Sequence, residues 1–95
     1  MQQFAFLTIG FEKPTPEIMQ DWQAWFASIQ DRIVSQVGLM NGQEISASGT
    51  ADLAMDANAV TGMMIIKAED RAEAMEIASR NPFITSIRVY DLMGH

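Results

Sequence analysis

Apolar residues follow two different patterns along the chain. In segments 3–10 and 60–68 they are nearly continuous, and their aromatic and β-branched residues favour strands. From Ile18 onwards they recur every three or four positions, which predicts a helix, and residues 70–80 repeat this spacing with smaller side chains. Turn signals enclose another expected strand at 43–48, and alternation predicts a last strand over 85–92.

Local signals place the predicted helices. Thr15 suits an N-cap and Pro16 suits the first helical position, so the first helix is predicted over 16–37. Asp70 begins the second helix with Glu73 three residues later, as in a capping box. The order strand, helix, strand, strand, helix, strand predicts an α+β, ferredoxin-like βαββαβ fold, an antiparallel sheet with both helices on one face.

Two of the predicted strands, 3–10 and 60–68, carry apolar residues on both faces. Two helices cover only one face of such a sheet, so the other would expose an apolar patch of several hundred Å2. We therefore expect a homodimer joined through the open sheet face, a two-fold contact of the chain with itself. The alternative is that the long segment 43–59 folds back over the sheet of the same chain.

Composition narrows the classes of partner. The 95 residues fit one domain, 1–95, and carry a net charge of −6 with six scattered basic residues. Binding to nucleic acid or to an anionic membrane is therefore not expected. Without cysteine there is no disulfide, thiolate metal site or thiol catalysis. We find no signal peptide and no apolar run of about 18 residues, so the expected location is cytoplasmic.

Candidate functional residues are few, and each also has a purely structural interpretation. A carboxylate in an apolar cleft would act as an acid or base, and a neighbouring cation or hydroxyl would hold an anion. Alternatively, the charged residues form ordinary surface ion pairs and the aromatic stripe belongs to the core. The candidate catalytic residues are Asp91, Glu44, Arg88 and Tyr90, and the candidate ligand-binding residues are Trp22, Phe26, Arg88 and Tyr90.

Metals and cofactors have no recognisable motif in the chain. The acidic residues Glu69, Asp70 and Glu73 are better explained by the start of a helix than by a metal site. No glycine-rich phosphate loop is present, so we expect neither a metal nor a cofactor. His95, the single histidine, is the last residue and is expected in a solvated tail.

Two stretches, "VGLMNGQEIS" and "VTGMMIIKAEDRAEAMEIASRNPFITSIRVYDL", resemble the YCII-related domain proteins. The resemblance covers nearly the whole chain and implies a dimeric α–β barrel with a cleft between sheet and helices. In some members a His–Asp pair is thought to act there, and one branch removes chloride from a muconolactone-type ring. In this chain Phe26 stands about where the histidine is expected, so that chemistry does not carry over. The matching residues are Gly62, Asp70, Glu73, Ala74, Ala78, Pro82, Ser86, Ile87 and Val89.

The sequence therefore predicts a homodimer that binds a small, partly apolar metabolite in a cleft between sheet and helices. Two alternatives stay open: an isomerase- or lyase-like enzyme using acid–base chemistry on a small cyclic or enol-type substrate, and a structural domain without a ligand. A closed pocket with a buried carboxylate beside Arg88 would favour the enzyme. A pocket lined by Trp, Phe and Met would favour binding. The absence of a pocket would favour the structural domain without a ligand.

Overall fold

The computed structural model describes residues 1–93, which form an α+β fold with a four-stranded antiparallel sheet, two helices on one face of it, and a separate hairpin. The sheet has the strand order β2-β5-β1-β6. His95 lies outside the described residues. Element bounds are β1 (Gln2–Ile9), α1 (Pro16–Ser28), β2 (Ile33–Gly38), β3 (Gln43–Ser46), β4 (Gly49–Asp52), β5 (Val60–Ala68), α2 (Arg71–Ser79) and β6 (Ser86–Asp91).

Both helices start at the residues that the sequence indicates. The hydroxyl of Thr15 accepts a hydrogen bond from the backbone N–H of Ile18 at 3.2 Å, which caps α1. The carboxylate of Asp70 accepts one from the N–H of Glu73 at 2.9 Å, which caps α2. The Glu73 carboxylate in turn accepts from the N–H of Glu69 at 2.8 Å, so the reciprocal arrangement of a capping box is nearly complete.

The core lies between the helices and one face of the sheet. Phe4, Phe6 and Ile66 are its largest fully buried side chains. Trp25 joins the two helices because its indole N–H donates to the carbonyl of Ile77 at 3.1 Å. No helix in the described residues is long and apolar enough to cross a membrane.

The predicted first helix is too long. It ends at Ser28, a 3₁₀ turn occupies Gln30–Arg32, and the last part of the predicted helix is instead strand β2. The segment Ile33–Gly38 has three β-branched residues, and it pairs with β5 at the edge of the sheet. Here strand propensity and backbone pairing outweigh the three-and-four spacing of apolar residues.

The expected strand at 43–48 exists as β3 but does not belong to the main sheet. It pairs with β4, which was not predicted, in a hairpin whose residues are all exposed. The hairpin makes no extensive contact with the helices or the main sheet. The alternative in which segment 43–59 covers the open sheet face of its own chain is therefore wrong for the hairpin itself.

The open sheet face lies opposite the helices and carries a strip of apolar side chains. Its register places Leu7 opposite both Met63 and Arg88, and places Ala5 opposite Ile65 and Tyr90. Tyr90 is 50% exposed and Met63 is 39% exposed. The double-sided apolar character of β1 and β5 is therefore a real feature of the sheet, and one side of it faces solvent in the single chain.

Candidate functional site

A cleft of about 400 Å3 opens between α1 and the end of the sheet where β2 and β5 meet. We call it the α1–sheet cleft. Its volume is in the range of small-molecule sites. Half of its lining residues are aromatic, aliphatic or thioether, and two hydroxyls and one amide are among the others. The lining residues are Thr8, Trp22, Phe26, Gln36, Val37, Gly38, Thr61, Gly62, Met63 and Met64.

The helix side of the cleft is an aromatic wall. Trp22 and Phe26 lie one turn apart on α1, with ring centroids 5.7 Å apart and planes inclined by 37°. Trp25, in the core, makes edge-on contacts with both rings. Its ring centroid lies 6.1 Å from that of Trp22 and 5.2 Å from that of Phe26. The helix thus presents a rigid apolar surface on which a flat ring could pack.

The sheet side of the cleft carries a pair of hydroxyl groups. A β-bulge lets Thr61 fall outside the regular pairing of β1 with β5, between Val60 and Gly62. Its hydroxyl oxygen lies 3.2 Å from that of Thr8, and 3.3 Å from the carbonyl oxygens of both Thr8 and Gly10. The Thr61 hydroxyl has one proton and so satisfies one of these acceptors at a time. The pair therefore retains acceptor capacity for a ligand, and bulges of this kind often re-aim side chains near sites.

Gly62 is required at the floor of the cleft. A Cβ added there would lie 2.9 Å from the Thr8 hydroxyl oxygen and 3.5 Å from the Val37 carbonyl oxygen. Glycine thus lets the Thr8 side chain approach the backbone of β5 closely. This gives a physical reason for the glycine that precedes the apolar run of β5.

A second hollow of about 370 Å3 continues the cleft towards the loop before α1. It shares Trp22, Phe26 and Thr61 with the first and is again mainly apolar. We call this second cavity the outer hollow. Glu12 brings a carboxylate to it, whereas the α1–sheet cleft is lined by no titratable side chain. Within residues 1–93, no group of three or more acidic or histidine side chains could hold a metal ion.

The residues singled out from the sequence divide between the cleft and other places. Trp22 and Phe26 form its aromatic wall. Arg88 and Tyr90 lie across the sheet, on its open face, because they pair with Leu7 and Ala5 of β1. The structure therefore does not bring the aromatic pair together with the cation and phenol.

The two candidate carboxylates also lie away from the cleft. Asp91 accepts a hydrogen bond from Arg71 at 2.6 Å, in a surface ion pair whose side chains are 72% and 54% exposed. Exposed pairs of this kind contribute little to stability. Glu44 lies in the exposed hairpin strand β3. Neither carboxylate therefore lies among the apolar residues of the cleft.

A second ion pair ties the start of β2 to α2. Arg32 donates to both carboxylate oxygens of Glu73, and a weaker contact of 3.5 Å reaches the carbonyl of Lys67. Hydrogen bonds from Arg32 and from the Glu69 N–H hold the pKa of Glu73 below its usual value of 4.5. The Glu73 carboxylate likewise raises the pKa of Arg32. This pair anchors the helix start and lies outside the cleft.

Sequence reasoning missed Thr8, Thr61 and Gln36 as cleft residues. Gln36 falls within the predicted first helix, and its position in the cleft depends on strand β2, which takes the place of the end of that helix. The hydroxyl pair depends on a bulge, for which the only local signal was Gly62. A threonine in each of two strands next to a strand glycine is too common a pattern to have indicated a site.

Comparisons with known proteins support the fold. No protein-family model matches the sequence, and no curated protein matches it. Among solved structures, it is similar to 5-chloro-2-hydroxyhydroquinone dehydrochlorinase (TftG) from Burkholderia phenoliruptrix AC1100 in complex with 2,5-dihydroxybenzoquinone. The TM-score is 0.60 at 12% identity, over 98% of this chain and 95% of that chain. At this identity the likeness shows a shared fold, and function must be argued from the site.

Proposed function

We propose that this chain is a YCII-like protein with a ferredoxin-like fold that forms a homodimer and binds a small, partly apolar ring compound in the α1–sheet cleft. The proposal rests on the residues that line the α1–sheet cleft. It has an aromatic wall, a thioether and a pair of hydroxyls, and it lacks a titratable side chain. Such a lining suits recognition of a ring with one or two polar substituents better than proton transfer.

The family assignment is supported by the main sheet. When the hairpin is set aside, the elements follow the order strand, helix, strand, strand, helix, strand, with the strand order β2-β5-β1-β6. The likeness to TftG over almost the whole of both chains agrees with this arrangement. Two residues in the resemblance to YCII-related proteins, Gly62 and Asp70, also have physical roles here, in close packing and in helix capping.

The homodimer is supported by the surface that the single chain leaves exposed. Its accessible surface is 6547 Å2, whereas a folded monomer of its mass typically exposes about 5,500 Å2. The difference of about 1,000 Å2 is comparable with one partner's share of a standard protein interface, about 800 Å2. The apolar strip of the open face, which includes Leu7, Met63 and Tyr90, is the surface that we assign to this contact.

The chemistry of the ligand follows from the two sides of the cleft. Trp22 and Phe26 offer flat apolar area at little cost in side-chain entropy. The hydroxyls of Thr8 and Thr61, and the amide of Gln36, offer hydrogen bonds but no charge. We therefore expect an uncharged or delocalised ring, hydroxylated or carbonyl-bearing, in preference to a phosphate or a carboxylate. The ring compound bound to TftG belongs to this class.

An enzyme is the second candidate, because Glu12 brings a carboxylate to the outer hollow that adjoins the aromatic wall. A ligand that spans both hollows would place an acidic C–H or O–H near this group. The candidates Asp91, Glu44, Arg88 and Tyr90 are less well placed, since none of them lines either hollow. If Glu12 acts as the base, Glu12→Gln abolishes turnover of a bound ring compound without weakening its binding.

A thermal-shift titration tests the binding proposal. The probes are 2,5-dihydroxybenzoquinone, hydroquinone and a panel of similar hydroxylated rings, with the affinity of any stabilising compound measured by calorimetry. The test variant is Phe26→Leu, which removes part of the aromatic wall. The matched control is Phe83→Leu, because Phe83 is 39% exposed and lies outside both hollows.

We expect at least one ring compound to raise the melting temperature by several degrees in the wild type and in Phe83→Leu. Phe26→Leu should weaken the binding of that compound about fivefold, since an aromatic contact contributes on the order of 1 kcal/mol. If no ring compound stabilises the wild type, or if Phe26→Leu binds as tightly as Phe83→Leu, the proposed site is wrong.

A further inference from the structure

The segment between β2 and β5 extends away from the rest of the molecule. We call residues 39–55, which contain the hairpin β3–β4, the arm. All of its side chains are exposed, including Ile45 at 83% and Met40 at 72%. The radius of gyration is 14.4 Å, compared with about 12.4 Å for a typical domain of this length. The arm therefore leaves its apolar side chains, among them Ile45 and Met40, without a covering layer.

A hairpin of this kind does not hold its shape alone. Its two strands have four residues each, and an isolated two-stranded hairpin in water is marginal at best. One side-chain hydrogen bond, from the amide of Gln43 to the Asp52 carboxylate at 2.8 Å, links the strands at their open end. No residue of either strand packs extensively on the helices or the main sheet. A contact outside the single chain would therefore be needed to hold the arm in this conformation.

Charge identifies the kind of surface that fits the arm. The arm contains two carboxylates, Glu44 and Asp52, and no basic residue. The open sheet face carries Lys67 and Arg88 beside its apolar strip. An acidic, apolar arm thus complements a face that is apolar and locally basic. Nucleic acid and anionic membranes, by contrast, would be repelled by the arm.

We propose that the arm of each copy packs against the open sheet face of a second copy, with Ile45 covered by that copy's apolar strip and the arm's carboxylates near its Arg88. The inference rests on the homodimer proposed above and adds that the sheet faces alone do not form the interface. Because β2 is an edge strand, the arm leaves the sheet at its margin and extends beyond it. In a dimer with a two-fold axis, each of the two arms would then contact the sheet of the other copy.

Ile45→Glu is the informative variant, because Ile45 is so exposed that its replacement disturbs no packing inside its own chain. The matched control is Met75→Glu on the outer side of α2, where Met75 is 48% exposed. Light scattering and sedimentation equilibrium give the mass and the dimer dissociation constant, and far-ultraviolet circular dichroism shows that each variant is folded. Tyr90→Glu, on the open face itself, tests whether that face takes part in the dimer at all.

We expect a wild-type and a Met75→Glu dimer of twice 10.6 kDa, and at least a tenfold higher dissociation constant for Ile45→Glu. Arg88→Glu should weaken the dimer, and the double reversal Glu44→Lys with Asp52→Lys should restore part of the loss when combined with it. If Tyr90→Glu dissociates the dimer while Ile45→Glu and the charge reversals match the control, the arm plays no part, and only this inference fails. A monomeric wild type overturns the homodimer and the arm contact together.

Discussion

Trp22 and Trp25 lie three residues apart on α1, yet they face different surroundings. Trp25 is 5% exposed, and its indole N–H donates to the Ile77 carbonyl of α2. Trp22 is half-buried and lines the α1–sheet cleft. Replacing each with phenylalanine should therefore separate the stability of the fold from binding at the cleft.

The expected loss for Trp25→Phe has two parts. The lost hydrogen bond contributes about 1 kcal/mol net. The part of the indole that phenylalanine does not fill leaves a void in the core, which costs about 1–2 kcal/mol. For a domain of this length each 1 kcal/mol lowers the melting temperature by roughly 5 °C, so a decrease of about 10–15 °C is expected. Trp22→Phe keeps an aromatic ring beside Phe26 and should cost less than about 1 kcal/mol.

Circular dichroism during heating and in urea measures both losses, at one fixed protein concentration because dimer stability depends on concentration. A ring compound that stabilises the wild type is then titrated into both variants. Trp25→Phe should bind it with near wild-type affinity at a temperature where the variant is folded, and Trp22→Phe should bind it more weakly. These roles of the two tryptophans are contradicted if Trp25→Phe melts within about 3 °C of the wild type, or if Trp22→Phe is the less stable of the two.

Three further changes test local features. Gly62→Ala should lower the free energy of unfolding by about 1–3 kcal/mol in urea, because the new methyl collides with the Thr8 hydroxyl, whereas Gly38→Ala on the neighbouring strand meets open space and should be neutral. Gly10→Ala should cost a similar amount because Gly10 has a φ of +109°, and equal stability of variant and wild type would contradict this. The lowered pKa of Glu73 means that its contribution to stability is present above pH 4.5 and is lost as the pH falls through the folded-state value. Urea titrations between about pH 3 and 6 should therefore show a shallower acid loss for Glu73→Gln than for the wild type, and parallel curves would refute the role of the pair with Arg32.

Much of the main sheet could be predicted because its signals are local. The apolar runs of β1 and β5 and the cap at Asp70 specify their own elements, and the structure places each within one or two residues. The segment Ile33–Gly38 could not be assigned in this way, since its apolar residues also fit the continuation of α1. Pairing with β5 decides its conformation, and that is a contact between residues about thirty positions apart.

The cleft was only partly predictable for a similar reason. Trp22 and Phe26 belong to one helix face, so their spacing alone places them together. The partners of that face on the sheet depend on the bulge at Thr61 and on which strand follows α1. Chemical type alone groups Arg88 and Tyr90 with the aromatic residues, and only the strand register shows that they lie on the other face of the sheet.

Nuclear magnetic resonance of methionine methyl groups tests the cleft most directly. The chain has eight methionines, of which Met64 is 4% exposed and lines the cleft, Met19 borders the outer hollow, and Met40 and Met55 lie in the arm. With the Met64 signal assigned from Met64→Leu, hydroxylated ring compounds are titrated into the labelled protein. Binding in the α1–sheet cleft should give the largest shift at Met64, a smaller one at Met19 and none at Met40 or Met55. Shifts confined to the arm, or no saturable shift at Met64, would contradict it.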